Sequence, residues 1–188
     1  MLNKKEILKR PSWEEWFMSQ AYHYAERTSC LNFAVGAVIV DEKTNHVLAG
    51  GYNGYPRGIE SCFERLYKGM GEKACRKVEA GIPYHVKNSG KCQAIHAEIN
   101  AMNHLSYEEA KGKSIYVTIF PCISCAYSIV NKGISKVVYS EEYVSVEREE
   151  AEKILKEGNV EIIKLFLSPE RRREISERVN LINNLRRK

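Results

Sequence analysis

Read as hydrophobic and polar positions, the chain divides into an irregular first half and a regular second half. Ser12 and Glu15 have the spacing of a helix capping box, and Trp13, Trp16, Phe17 and Tyr24 follow at helical intervals. A first helix from about Trp13 to Arg27 is predicted. The runs AVGAVIV (34–40) and VLAGGYN (47–53) are short, apolar and rich in β-branched residues, and the polar stretch 41–46 separates them. Such a pattern predicts two adjacent antiparallel strands. Between Gly54 and Lys91 periodicity is weak, with short helices expected near Phe63 to Lys68 and Glu72 to Ala80. This stretch reads as an insertion or an elaborated loop.

From His96 onward, strands and helices alternate: helix HAEINAMNHL, strand SIYVTIF, helix PCISCAYSIVNK stopped by Gly133, strand KVVYS, helix EREEAEKILKEG and strand VEIIKLF. Alternation of this kind favours parallel strands joined by right-handed crossovers. Combined with the hairpin, it predicts an α/β domain with five strands in a mixed sheet, covered by helices on both faces. After Ser168-Pro169 a last helix would carry Ile175, Val179, Ile182 and Leu185 on one face, packed on the body or on a neighbouring subunit. The organisation expected is one domain over 1–167, with an inserted loop at about 62–92, and a basic helix over 168–188.

Composition narrows the function classes. A length of 188 residues, 44% hydrophobic and 28% charged, suits one soluble globular domain. No apolar run approaches the roughly 18–20 residues needed to span a bilayer. The N-terminus has no apolar signal core, so a cytoplasmic protein is expected, with its six cysteines kept reduced for metal binding or chemistry. The net charge of +5 is concentrated at the end, where residues 170–188 hold seven basic and three acidic side chains. About one net positive charge remains for the body, which argues against a polynucleotide partner.

The chemistry lies in His96-Ala97-Glu98 and Pro121-Cys122-Ile123-Ser124-Cys125. Cysteines three apart at a helix start place both sulfurs on one side of the first turn, and Pro121 suits the first helical position. Two thiolates and a neutral imidazole hold zinc with a fourth position left open, the mark of a catalytic site. Helix N-termini beside His96 and Cys122 would lower the thiol pKa values and steady the anionic cluster. Glu98 is the proton carrier this chemistry needs. Two residues from His96, it cannot share that side chain's face of an ideal helix, so a helix-start geometry must bring the two together.

With these motifs the chain resembles the cytidine and deoxycytidylate deaminase superfamily, and within it the deoxycytidylate deaminases, over roughly Arg10 to Leu165. The likeness extends to RPSWEEWFM (10–18), VGAVIV (35–40), GYNGYPRG (51–58), YVT (116–118) and GISKVVY (133–139). It implies a cytidine-deaminase-like three-layer α/β/α sandwich, a catalytic Zn2+ on His96, Cys122 and Cys125, Glu98 as the catalytic residue, and dCMP as substrate. It further implies that Asn53 contacts the deoxyribose, that Val38 and the backbone around Ala97 line the base pocket, and that Arg27 and Tyr143 lie near the 5′-phosphate. Arg27 reads equally as a solvated helix end, and Tyr143 as a residue packed beside the sheet. Gly51, Gly54 and Gly58 read as turn glycines as well as binding residues.

A second, structural Zn2+ is implied at Cys30, Cys62, His85 and Cys92, with Cys75 able to replace either of the last two. Unliganded cysteines that simply pack as small hydrophobes are the alternative. A homo-oligomer, with a hexamer favoured, and dCTP and dTTP as regulators are also implied. The rival readings are the same chemistry on cytidine, guanine or tRNA adenosine, and a non-catalytic nucleic-acid-binding relative.

Overall fold

Five short runs of apolar residues pair into one mixed sheet in the computed structural model, which describes residues 8–83, 90–142 and 147–185. The strands are β1 (Gly36–Asp41), β2 (His46–Tyr52), β3 (Ser114–Ile119), β4 (Lys136–Glu141) and β5 (Glu161–Lys164), in the order β2-β1-β3-β4-β5. β1 runs antiparallel to both β2 and β3, whereas β3, β4 and β5 are parallel. The β1–β2 turn uses Asn45 at φ 57°, a left-handed conformation that asparagine tolerates.

The helices are α1 (Trp13–Ala25), α2 (Cys62–Tyr67), α3 (Arg76–Glu79), α4 (Ala97–Met102), α5 (Tyr107–Ala110), α6 (Ile123–Asn131), α7 (Glu147–Glu157) and α8 (Pro169–Leu185). Alternation along β1 assigns them to two layers. Ala37 and Ile39 join Ala97, Ala101, Val117, Ala126, Ile129 and Leu155 on one face, which α4, α6 and α7 cover. Val38 and Val40 point the other way, against Phe17, Met18, Ala21, Tyr116, Val138 and Leu167 beneath α1. The expected three-layer α/β/α sandwich is therefore the fold observed.

Two glycines set how closely the layers approach. A Cβ on Gly36 would stand 1.9 Å from the Ala21 carbonyl oxygen, so α1 can rest on β1 only where no side chain intervenes. On Gly51 it would stand 2.4 Å from both the Ala97 oxygen and the Ala101 nitrogen of α4. Of Gly51, Gly54 and Gly58, only Gly58 has a positive φ, 83°. The turn reading thus holds for Gly58, while Gly51 serves close packing against the helix that follows His96.

α1 begins with the expected capping box, in which the Glu15 N–H donates to Ser12 Oγ (3.2 Å) and the Ser12 N–H to Glu15 Oε2 (2.9 Å). It ends at Ala25, two residues short of the expected Arg27. In the inserted region, the helix expected over 72–80 divides into a 3₁₀ turn at Gly71–Ala74 and α3, because Cys75 is extended and turns inward. This region is organised around a buried cation. Arg65 donates from Nε to the Ala74 carbonyl (3.1 Å) and from Nη2 to the Lys73 carbonyl (3.0 Å), and it pairs with Glu79. These bonds supply the partners that a buried guanidinium requires.

The last helix departs from its amphipathic reading. Ile175 meets the core, but Val179 is 61% exposed. What docks α8 is its basic first half: Arg171 bonds both oxygens of Glu15 (2.9 and 3.0 Å), and the Arg172 guanidinium lies 3.9 Å over the Tyr22 ring. Two basic residues of the terminus are thereby committed to contacts within the chain. No helix among the described residues is long and apolar enough to cross a membrane.

Candidate metal centre and active site

His96 and Cys122 each occupy the position just before a helix. Both have extended backbones (φ −71°, ψ 153° and φ −75°, ψ 171°), and neither side chain caps its own helix. A cap residue ordinarily turns its side chain back to the first-turn amides. Here the imidazole and the sulfur turn toward each other instead. Pro121 consequently precedes the cap, and Ile123 rather than Pro121 is the first helical residue. Cys125, one turn into α6, brings the second sulfur to the same point.

His96 Nδ1 lies 3.3 Å from Cys122 Sγ and 3.3 Å from Cys125 Sγ. Tetrahedral zinc, with Zn–S of about 2.3 Å and Zn–N of about 2.0–2.1 Å, requires sulfur-to-nitrogen edges of roughly 3.5 Å. The three donors therefore fit zinc in both type and spacing. Among the described residues they are the one group of three whose ligating atoms lie within 4.8 Å of one another. His96 is exposed while Cys125 is fully buried, so the group opens on one side only.

Glu98 stands beside it, 4% exposed, with its carboxyl in hydrogen-bonding contact with the Cys125 thiol. Because His96 lies outside the helix in an extended conformation, the two-residue spacing no longer separates the side chains. The convergence expected from a helix start is observed. Burial raises the Glu98 pKa above the ordinary carboxylate range, His96 opposes that rise and Cys122 adds to it. Cys125 holds Cys122 far below the ordinary thiol range, with His96 and Ser124 acting in the same direction against burial. Cys125 is pushed up by its bond to Cys122, then by burial and by Glu98. A bound metal would displace the protons of both thiols.

The site sits at the carboxyl ends of parallel β3 and β4, the usual position for a ligand in an open α/β sheet. Two links tie the 51–58 loop to it. Gly54 exchanges backbone bonds with Ile95, the neighbour of His96 (3.0 and 2.8 Å), and Asn100 Nδ2 of α4 donates to the Tyr52 carbonyl (2.7 Å).

The remaining site expectations fare differently. Ala97, the first residue of α4, is buried beside His96. Val38 is not at the site: it is buried on the opposite face of the sheet, since strand alternation turns it toward Phe17 and Tyr116. Val35, two positions before Ala37, packs against the cluster that contains Ala97, as counting by twos from Ala37 gives. Asn53 is buried, with Oδ1 accepting from Thr28 Oγ1 (2.8 Å) and the Val35 N–H (2.9 Å) and Nδ2 donating to the Phe33 carbonyl (2.9 Å). Arg27 is exposed and lines a cleft of about 550 Å³ together with Arg57, Tyr52 and Tyr55. Tyr143 and His85 lie outside the described residues.

Cys30, Cys62 and Cys92 do not bring their three sulfurs within 4.8 Å of one another. Burial raises the Cys30 thiol pKa, and the charges of Cys62 and Cys92 contribute. Cys62 Sγ lies 3.5 Å from Tyr55 Oη, whereas Cys75 faces Asn32 Nδ2 at 3.5 Å. The sequence reading also passed over Ser124, whose hydroxyl is 3.1 Å from Cys122 Sγ. Its place two residues after a ligand, on the first turn of α6, was the available signal.

Comparison with known proteins agrees with this geometry. The cytidine and deoxycytidylate deaminase zinc-binding region matches residues 11–141. The deoxycytidylate deaminase of Saccharomyces cerevisiae is 34% identical over 166 residues, 88% of this chain and 48% of the yeast protein. This chain thus spans about half the length of that relative. The human deoxycytidylate deaminase is 33% identical over 144 residues, 76% of this chain and 73% of the human protein. Among solved structures, the dCMP deaminase of cyanophage S-TIM5, crystallised with dCMP and dUMP, superposes with a TM-score of 0.61 at 25% identity, covering 84% of this chain and 99% of that one.

Proposed function

As the chain belongs to the cytidine and deoxycytidylate deaminase family, we propose that it hydrolyses dCMP to dUMP and ammonia. The observation that carries this reading is the convergence of His96, Cys122 and Cys125 on one point beside the buried carboxyl of Glu98. Held there, zinc supplies a water-derived nucleophile near neutral pH, for attack on the carbon that bears the amino group. Glu98 takes the proton released from that water and passes it to the ring nitrogen, then takes the proton of the hydroxyl added to the carbon and delivers it to the departing amine. The C–N bond breaks, a carbonyl forms, and the carboxylate is regenerated. A pKa raised by burial suits both halves of this cycle, because the group must accept a proton and return it at similar cost.

The substrate enters from the side on which His96 is exposed. Ala97 and its backbone border the base, and Arg27 and Tyr143 are assigned to the 5′-phosphate. Asn53 is assigned to the deoxyribose, with its amide positioned by Thr28, Phe33 and Val35. The regulators dCTP and dTTP are assigned to the 51–58 loop by family likeness, and the cleft that Arg27 lines there carries Arg57 together with the carboxylates Glu26 and Glu64. The protein is placed in the cytoplasm as a homo-oligomer, a hexamer by family likeness.

Ammonia release measured on dCMP, dCTP, cytidine, guanine and tRNA, with and without added dCTP or dTTP, tests this reading. Preference for dCMP by at least about 100-fold is expected, because a pocket built for polar groups rejects substrates that leave them unpaired. An equal or greater rate on another base would replace the substrate.

A structural Zn2+ at Cys30, Cys62, Cys92 and His85 is part of the same proposal, supported by the electrostatic proximity of the three thiols. A closed site of this kind would anchor the inserted region. In Cys62→Ser, metal analysis should give one zinc per chain instead of two. A zinc count equal to the parent's removes the second site.

A further inference from the structure

The Cys122 sulfur has a neighbour for which the deamination chemistry has no use. Ser124 Oγ lies 3.1 Å from it, a hydrogen-bonding distance for oxygen and sulfur. In the bare geometry either atom could donate. Once Cys122 ligates a metal it is a thiolate without a proton, so the hydroxyl must be the donor. We propose that Ser124 is a positioning residue, whose hydroxyl donates to the Cys122 thiolate and so sets the strength and direction of the metal–sulfur bond. This inference rests on the zinc site proposed above.

Three features of the first turn of α6 support the assignment. Cys122 occupies the cap position, where an acceptor normally takes a first-turn amide, yet its side chain makes no cap bond and is turned to His96. The sulfur thus has acceptor capacity free on the side of Ser124. The Ser124 carbonyl accepts from Ser128 Oγ at 2.9 Å, which braces the backbone that carries the hydroxyl. Ser124 is exposed, so packing does not explain how it is placed.

A hydrogen bond to a metal thiolate draws electron density away from the sulfur and restrains its rotation. Such outer partners typically change metal affinity by about 10–100-fold when removed. Since the side chain is exposed, replacing it should leave the fold almost unchanged. The hydroxyl can therefore be tested apart from folding.

The experiment compares the parent chain, Ser124→Ala and Ser124→Thr by chelator competition for zinc and by the absorption spectrum after cobalt substitution. Ser124→Ala should hold zinc about 10-fold more weakly. Its sulfur-to-cobalt charge-transfer band should move to lower energy, because the thiolate lone pairs lose their stabilising donor. Ser124→Thr, which keeps the hydroxyl, should match the parent in both measurements. Identical affinity and identical bands in the parent and Ser124→Ala would overturn the role of Ser124 alone. A parent chain that shows no cobalt–thiolate band would overturn both this inference and the zinc site on which it rests.

Discussion

Glu98→Gln should lose dCMP turnover by about 10²–10⁴-fold while one zinc remains on His96, Cys122 and Cys125. Glutamine has nearly the same shape and can still bond the Cys125 sulfur, so the buried surroundings of residue 98 are preserved. It cannot accept a proton from the attacking water or return one to the ring nitrogen and the amine. Every step that needs a transfer slows, whereas ground-state binding needs none. The expected pattern is therefore a large fall in kcat with KM little changed. Stability should stay level or rise, since a carboxyl held in a buried site is replaced by a neutral group. Steady-state kinetics together with metal analysis provide the check. Residual activity within about tenfold of the parent would remove Glu98 from the proton path and revive the non-catalytic reading of the chain.

Cys125→Ala should lose the metal and, with it, more than about 10³-fold of activity, because water at neutral pH is a poor nucleophile without a Lewis acid. Cys125 is the most buried of the three ligands, and its sulfur also bonds Glu98. Its removal leaves one thiolate and one imidazole, too few to hold zinc with an open position. The sheet and its two apolar clusters do not pass through the ligands, so the variant should retain the parent's far-UV circular dichroism. Chelator treatment of the parent should produce the same loss, and added zinc should restore the parent but not the variant. A variant that keeps a full equivalent of zinc and half its activity would place the catalytic metal elsewhere.

Several parts of this site are legible in the chain before any folding is considered. The capping box at Ser12 and Glu15, the hairpin around residue 45, and the cysteine pair Cys122 and Cys125 each depend on residues a few positions apart. Covalent spacing alone brings such groups within reach, so pattern and chemistry suffice. Likeness to deoxycytidylate deaminases added the substrate, which no spacing could have revealed.

Other parts were decided at a distance. Val38 was expected in the base pocket but faces α1, and the choice between the two faces of β1 was made by strands and helices up to about 130 residues away along the chain. Asn53 bonds Thr28, Phe33 and Val35, contacts between separate segments that its place in the GYNG run does not reveal. Gly51 looked like a turn residue, but what requires it is the backbone of α4, 2.4 Å from where a Cβ would stand. The last helix was expected to pack through its apolar face, but Arg171 and Arg172 fasten it to α1 through Glu15 and Tyr22.

By itself, then, the sequence determined the order of elements and pointed to three metal donors and to Glu98 as the proposed proton carrier, because local periodicity and donor chemistry are properties of the residues themselves. Only the tertiary structure decided that His96 and Cys122 turn away from their own helices toward one point, and which residues surround them. Those outcomes depend on how separate strands and helices pack, and packing is a relation between distant parts of the chain that no local pattern contains.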